Sequence, residues 1–166
     1  MIMAEEAWLS GKIEGFSDVM MPTAHALVQS IFELEKFSDL TKKELLTKPN
    51  GSASVAFHLR HIAGSCDRLL TYAKDENLNE IQFDFLKTES AESSELNARE
   101  LVNQAVSEIE KVLEFCKNIS SENLFEERFV GRKKLATNVF GLLFHIAEHT
   151  ARHIGQITTT AKIVRK

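Results

Sequence analysis

The sequence predicts an all-α fold, specifically a four-helix bundle. Only 7 glycines and 2 prolines occur among 166 residues, fewer than the turns of a strand-rich fold need. Hydrophobic residues make up 43% and charged residues 27%, which is typical of a soluble globular protein with a full core. Four segments carry apolar residues at helical spacing, with no internal repeat and no second-domain linker. We therefore expect residues 1–166 to form a single helical-bundle domain.

The first two predicted helices lie in the first half of the chain. The first spans about residues 20–37, and Pro22 falls in its first turn, where a missing N–H costs little. Its apolar stripe consists of Met20, Ala24, Leu27, Ile31 and Leu34. A turn cluster at Thr47–Ser54 precedes the second predicted helix, which spans about residues 52–73. The stripe of this helix consists of Val55, Leu59, Ile62, Cys66, Leu69 and Ala73.

The third predicted helix runs from Asn97 to about residue 117. Asn97 is a suitable N-cap, because Glu100 stands three residues later as a capping-box partner. Residues 75–94 precede it and are predicted to be polar and irregular, with an apolar patch at Ile81, Phe83, Phe85 and Leu86. This long connection between the second and third helices permits a crossover as well as a simple up-and-down path.

The last predicted helix begins after Thr137, which can cap it, and ends at about Val164. The segment Phe125–Leu135 upstream contains FVGRKKL and is predicted to form a short hairpin around Gly131.

Charge and cysteine content disfavour several classes of protein. The formal net charge is −4, so general binding to nucleic acid is not expected. The first residues lack the pattern of a signal peptide, and no apolar run reaches the length of a membrane span. Cys66 and Cys116 form no CxxC motif and lie on apolar stripes, as small core residues do. We expect a cytoplasmic protein with reduced thiols.

Five of the six histidines fall into two clusters. His145, His149 and His153 follow one another at intervals of four residues, so neighbours share a helix face. Two such imidazoles can bind one metal ion. Each step drifts by about 40° and about 6 Å, so three in a line cannot all converge. The spacing therefore predicts two ligands from this helix and a further one from elsewhere.

The last helix and the second helix both offer alternatives for the metal ligands. On the last helix, a 4-3-4-3-4 stripe predicts a core-facing row of Leu142, Ile146, His149, His153, Gln156 and Thr160. Polar groups buried in this row need partners, and a metal ion would satisfy two of them. On the second helix, His58 lies about 70° and His61 about 130° from the apolar centre, so periodicity favours His58. His25 lies about 120° from the centre of its helix and is expected to be an ordinary surface or hydrogen-bonded residue.

Two segments of the sequence resemble the DinB/YfiT-like family of helical metal-binding proteins. They are SVAFHLRHIAGSCDRLLTYA in the second predicted helix and GLLFHIAEHTARHIGQI in the last one. The resemblance implies a four-helix bundle with a crossover connection, often a homodimer. It also implies a divalent metal ion, Zn²⁺, Ni²⁺ or another, held by His61, His149 and His153. Ser54 matches a small polar residue often found seven positions before the first ligand. Ile154 stands where many members carry Arg or Lys, so we expect altered contacts around the ligands.

Three histidines form a neutral ligand set, which leaves a divalent ion its full charge. Such a site can lower the pKa of a bound water to about 7 or bind a thiolate. The resemblance implies thiol-dependent transferases and hydrolases, so we expect a metal-dependent enzyme acting on a small molecule, with a low-molecular-weight thiol as a potential cofactor. The alternative is a non-catalytic metal-binding or stress-response protein, for which His58 or His145 would complete the coordination. No general base is evident, since Glu148 points away from the face of His149, and Asp67 and Gln156 are the candidates for orienting imidazoles.

Several aromatic and apolar residues lie outside the four stripes. They are Trp8, Phe16, Phe83, Phe85 and Leu86. Such residues either cap the ends of the bundle or form a partner surface. The second interpretation predicts a homodimer.

Overall fold

The computed structural model describes residues 6–91 and 97–165, and the predicted all-α bundle is confirmed. The helices are α1 (Met21–Glu35), α2 (Lys42–Leu46), α3 (Val55–Ala73), α4 (Glu80–Thr88), α5 (Ala98–Asn118) and α6 (Val139–Val164). A hairpin of β1 (Glu127–Val130) and β2 (Leu135–Asn138) precedes α6. The part of the chain that the structure describes contains no helix long and apolar enough to cross a membrane.

The four long helices pack in an order that differs from their order in the chain. Both α1 and α3 pack against α5 and α6. Around the bundle the order is therefore α1, α5, α3, α6, and α1 lies diagonally opposite α3. The connections from α1 to α3 and from α5 to α6 cross the bundle, which confirms the predicted crossover. The connection from α3 to α5, which the sequence left open, joins neighbouring helices.

Side-chain caps define where the long helices begin. Ser54 caps α3, since its hydroxyl oxygen accepts a hydrogen bond of 3.2 Å from the backbone N–H of Phe57. The helix therefore begins at Val55 rather than at residue 52. Asn97 caps α5 as predicted, and its side-chain oxygen accepts a hydrogen bond of 3.3 Å from the N–H of Glu100. Among the described residues the Glu100 side chain makes no return hydrogen bond to the Asn97 N–H, so the predicted capping box is only half formed.

The predicted cap of the last helix is wrong by one residue. Asn138 is the N-cap of α6, and its side-chain oxygen accepts a hydrogen bond of 2.7 Å from the N–H of Gly141. Thr137 instead lies in β2, paired with Arg128 of β1. The hairpin itself is confirmed, and Gly131 at its turn has the left-handed φ of +69° that glycine adopts without strain.

The prediction of an irregular segment at residues 75–94 is wrong for α4. Asn79 and Gln82 form a capping box, in which each side chain accepts a hydrogen bond of 3.0 Å from the other's backbone N–H. The apolar residues of α4 alternate along the chain instead of recurring every three or four positions, so its pattern does not indicate a helix. Residues 92–94 of the predicted segment lie outside the described residues.

The core face of α6 is rotated from the predicted one. Leu142, Ile146 and Thr160 of the predicted row are buried, and so is the neighbouring row of Leu143, Ala147, Thr150, Ile154, Ile157 and Ala161. Gln156, predicted to be buried, is exposed, and both His149 and His153 are half-buried at the edge of the core. Burial of the neighbouring row is favoured over burial of His149, His153 and Gln156, because it removes fewer polar groups from water. Ile154, directly after His153, is only 1% exposed and is a core residue.

Both cysteines are free thiols buried in the core, as predicted. Burial raises the pKa of each thiol to about 12. A thiol with this pKa is almost entirely protonated near neutral pH, so neither cysteine is expected to act as a nucleophile.

Candidate metal centre

Three imidazoles from α3 and α6 meet at the edge of the bundle. His61, His149 and His153 each offer one ring nitrogen, and these atoms lie within 4.8 Å of one another. His61 Nε2 and His149 Nε2 are 3.0 Å apart. Ligand atoms on a tetrahedral zinc ion are separated by about 3.3 Å, so this pair already has nearly the spacing that a shared metal ion needs.

The packing of α3 against α6 brings these residues together. His149 and His153 occupy successive turns of α6, and their ring centroids are 4.5 Å apart. His61, in the second turn of α3, places its ring centroid 4.6 Å from that of His153. All three side chains are half-buried, so the cluster is reachable from solvent.

Glu89 orients the ring of His61. His61 Nδ1 lies 2.8 Å from Glu89 Oε1, and Arg68 Nη2 donates a weaker hydrogen bond of 3.3 Å to Glu89 Oε2. Burial raises the pKa of Glu89, but the hydrogen bond from His61 and the charges of His61 and Arg68 outweigh it, so the pKa is lowered. A carboxylate only accepts, so His61 Nδ1 carries the proton and Nε2 is left free as a metal ligand.

Sequence reasoning missed Glu89 and chose other partners. Asp67 accepts a hydrogen bond of 2.9 Å from Gln82 Nε2 of α4, so it does not orient an imidazole. Gln156 is exposed and lies in a cleft beside the site. Glu89 follows the last residue of α4, 28 positions from His61, and only the placement of α4 on α3 brings it to the site.

His58 is buried beside the cluster, as the periodicity of α3 predicts. It is 3% exposed, and its Nδ1 lies 2.9 Å from His153 Nδ1, so one nitrogen donates to the other. This contact occupies His153 Nδ1 and leaves its Nε2 for a metal ion. Phe57 stacks on His61 with ring centroids 5.5 Å apart and further restrains that ring.

Arg152 holds the outer side of His149. Arg152 Nη2 donates a hydrogen bond of 3.1 Å to His149 Nδ1. Arg152 Nε donates a second one, of 2.7 Å, to Glu148 Oε2. Because arginine only donates, His149 Nδ1 is the acceptor and its proton lies on Nε2, facing His61. Binding of a metal ion through His149 Nε2 therefore requires that proton to leave and Arg152 to release Nδ1.

Burial favours the neutral form of the imidazoles of His58, His149 and His153. Burial, followed by the charges of His61, His145 and Arg152, lowers the pKa of His149 to about 4. Burial and the neighbouring histidines, His61 first, lower the pKa of His153 to about 3. The pKa of His58 is also lowered, by burial and by His61. Neutral imidazole is the form that binds a metal ion, so protons compete little near pH 7.

The remaining histidines lie outside this group. His25 Nε2 contacts the backbone carbonyl oxygen of Gly11 at 2.7 Å, the ordinary role expected for it. His145 is exposed and its Nδ1 contacts Glu148 Oε1 at 2.7 Å, while its ring centroid lies 5.3 Å from that of His149. Glu148 thus contacts His145 and Arg152.

The chain is thus a crossed four-helix bundle that carries a candidate metal centre, the histidine cluster between α3 and α6. The family model of the DinB superfamily matches residues 27–157, and the chain belongs to this superfamily. Its fold is similar to that of YfiT from Bacillus subtilis, which is described as "a probable metal-dependent hydrolase with an unusual four-helix bundle topology". The TM-score is 0.65 over 91% of each chain at 14% sequence identity, a likeness that shows the fold. No curated protein matches the chain.

Proposed function

We propose that this chain is a divalent-metal-dependent enzyme that acts on a small molecule, with His61, His149 and His153 as the metal ligands. The observation that carries the proposal is the convergence of these three imidazoles with their ligand atoms within 4.8 Å. Membership of the DinB superfamily and the three-histidine group together support a metal-binding protein.

The donor set fits a borderline divalent ion. Three neutral imidazole nitrogens suit Zn²⁺ or Ni²⁺ better than Mg²⁺ or Ca²⁺, which prefer oxygen ligands. When bound, such an ion supplies Lewis acidity and lowers the pKa of a coordinated water or thiol. Glu89 and His58 hold the rings of His61 and His153, so the chain presents these two ligands in fixed orientations.

A cleft beside the cluster offers room for a substrate. It has a volume of about 540 Å³, in the range of small-molecule sites, and His58 and Arg152 line it. Arg152, with its three donors to Glu148 and His149, lies where it can hold an anionic or carbonyl oxygen of a substrate after releasing His149.

Hydrolysis is the reaction we favour, and thiol transfer requires an added cofactor. The buried thiols of Cys66 and Cys116 have pKa values of about 12, so the chain supplies no reactive thiolate of its own. Thiol transfer at this site would therefore use an external low-molecular-weight thiol.

The alternative is a non-catalytic metal-binding protein. One contact favours it, because His58 Nδ1 lies only 2.9 Å from His153 Nδ1 and could join the ligands after a ring rotation. Four protein ligands are typical of structural zinc sites, whereas catalytic sites keep one position for water or substrate.

Cobalt substitution separates the two functions. The chelator-treated protein is loaded with Co²⁺, and its visible spectrum is recorded before and after addition of a small thiol. An open site is expected to change its spectrum and show sulfur-to-metal charge transfer, and the zinc form is expected to hydrolyse members of a panel of esters and amides. A spectrum that thiol leaves unchanged in the wild type but changes in His58→Ala, with no hydrolysis, would favour the non-catalytic function.

A further inference from the structure

A second cleft lies between α3, α4 and the turn of the hairpin. Its volume is about 680 Å³, within the range of small-molecule sites, and no histidine lines it. Its apolar wall consists of Leu69, Tyr72, Leu78, Phe83, Leu86 and Val130. Phe83 is 37% and Leu86 43% exposed, so a bound molecule would cover apolar surface that solvent now contacts.

Positive charge is concentrated at this cleft. Arg68, Arg132 and Lys134 line it, and no acidic residue does. Within residues 6–91 and 97–165, neither Arg132 nor Lys134 forms an ion pair, so both charges are free to meet a ligand. The chain as a whole carries a net charge of −4, so the charge at this cleft is opposite in sign to the net charge of the chain.

Arg68 is the buried member of this group. It is 9% exposed, and while its Nη2 donates to Glu89, its buried Nη1 has no hydrogen-bond partner among the described residues. A Cβ atom at position 64 would lie 2.7 Å from Arg68 Nη1 and 2.6 Å from the Phe85 ring. Gly64 therefore makes room for the guanidinium, at the cost in stability that a glycine brings to a helix interior.

We propose that this cleft binds a small organic anion, with an apolar or aromatic body and one carboxylate, phosphate or sulfonate group. The body covers Phe83 and Leu86, and the anionic group lies among Arg68, Arg132 and Lys134. Apolar walls with a few convergent charges are typical of small-molecule sites. Binding here does not require a metal ion at the histidines, because the lining of the cleft contains none of the three proposed ligands.

An acid and its amide provide the test. 2-Naphthoate and 2-naphthamide share one aromatic body and differ in charge, and calorimetric titration measures the affinity of the full chain for each. We expect naphthoate to bind more tightly, by about fivefold or more, because its carboxylate can form ion pairs with the exposed Arg132 and Lys134. Equal affinities for acid and amide, or no binding of either at millimolar concentration, would overturn the proposal.

Three variants locate the binding. The double variant Arg132→Ala/Lys134→Ala should weaken naphthoate binding and leave naphthamide binding unchanged. Lys133→Ala is the matched control, because this exposed neighbour on the same turn does not line the cleft. His149→Ala should bind naphthoate like the wild type, which separates this cleft from the proposed metal centre. An equal loss in Lys133→Ala, or no loss in the double variant, would contradict the assignment.

Discussion

The contact between Glu89 and His61 illustrates how one carboxylate prepares a histidine for a metal ion. The carboxylate accepts from Nδ1 and so fixes the tautomer in which Nε2 faces His149. Arg68 binds the same carboxylate and keeps it ionised. The orientation of a proposed metal ligand, His61, therefore depends on Glu89, which would not itself touch the ion.

Replacing Glu89 with glutamine should weaken metal binding without removing a ligand. Loss of a partner of this kind typically lowers metal affinity by about tenfold to a hundredfold. Competition with a chromophoric chelator measures the affinity. Glu110→Gln, an exposed substitution on α5, is the matched control and should leave the affinity unchanged. Equal affinities of Glu89→Gln and the wild type would show that Glu89 does not orient a ligand.

Acid should destabilise the metal-free protein through His149 and His153. Their pKa values are about 4 and about 3 in the folded chain, against about 6.5 for unfolded histidine. The unfolded chain therefore binds more protons in this interval, so the free energy of unfolding falls as the pH drops from about 6.5 towards 4. Urea unfolding at about pH 7 and pH 5 measures the loss. His149→Gln/His153→Gln should lose less than the wild type, and an equal loss would exclude these two residues as the cause.

The identities of the clustered histidines were predictable, whereas their partners were not. The HxxxH spacing and the resemblance in the sequence pointed to His61, His149 and His153, and the structure brings these three together. Their role as metal ligands stays a prediction. Glu89 carries no local signal, because its contact with His61 exists only once α4 packs on α3.

The presence of the four long helices was predictable from the sequence. Their first residues and the face that each one buries were less predictable. The periodicity of α6 admits two rows, and the sequence pattern chose the one that contains His149, His153 and Gln156. Leu142, Ile146 and Thr160 of that row are buried as predicted. Ile154 and Ile157 are buried in place of the two histidines and Gln156, because apolar burial outweighs heptad regularity. The histidines consequently lie at the edge of the core, where solvent can reach them.

The start of α6 gives a direct test of how its cap works. Asn138→Ala should lower the free energy of unfolding by about 1 kcal/mol, because the N–H of Gly141 loses its acceptor. Thr137→Ala is the control, since this residue lies in β2 and does not cap the helix. Urea denaturation measures both. A larger loss for Thr137→Ala would mean that the sequence-predicted cap was correct.

Across the molecule, the crossed topology places α3 beside α6 and thereby builds the histidine cluster. A bound ion would join two helices that are far apart in the chain, so metal binding and folding should be linked. Addition of Zn²⁺ at about 100 times its dissociation constant should stabilise the protein by about 2.7 kcal/mol. A rise in melting temperature measures this, and it should be absent in His149→Ala/His153→Ala. An equal rise in that variant would place the ion elsewhere.

The homodimer stays a prediction, and fewer exposed apolar residues support it than the sequence suggested. Phe16 packs against the core, and Phe83 and Leu86 line the second cleft, so these residues have places within one chain. Trp8 remains 64% exposed. Light scattering at micromolar concentration should give twice the mass of the chain, and a monomer would contradict the prediction.

The metal content of the purified protein, measured by mass spectrometry after exchange into chelator-treated buffer, tests the proposed centre most directly. We expect one divalent ion per chain in the wild type. The variant His25→Ala should also hold one, because the ring of His25 contacts the backbone of Gly11 and is not part of the cluster. His61→Ala should lose the ion, since it removes a ligand, while His58→Ala should retain it with weakened affinity. Retention of the ion in His61→Ala together with its loss in His58→Ala would show that His58 is the ligand from α3. A wild type that binds no metal ion after reloading would contradict the centre itself.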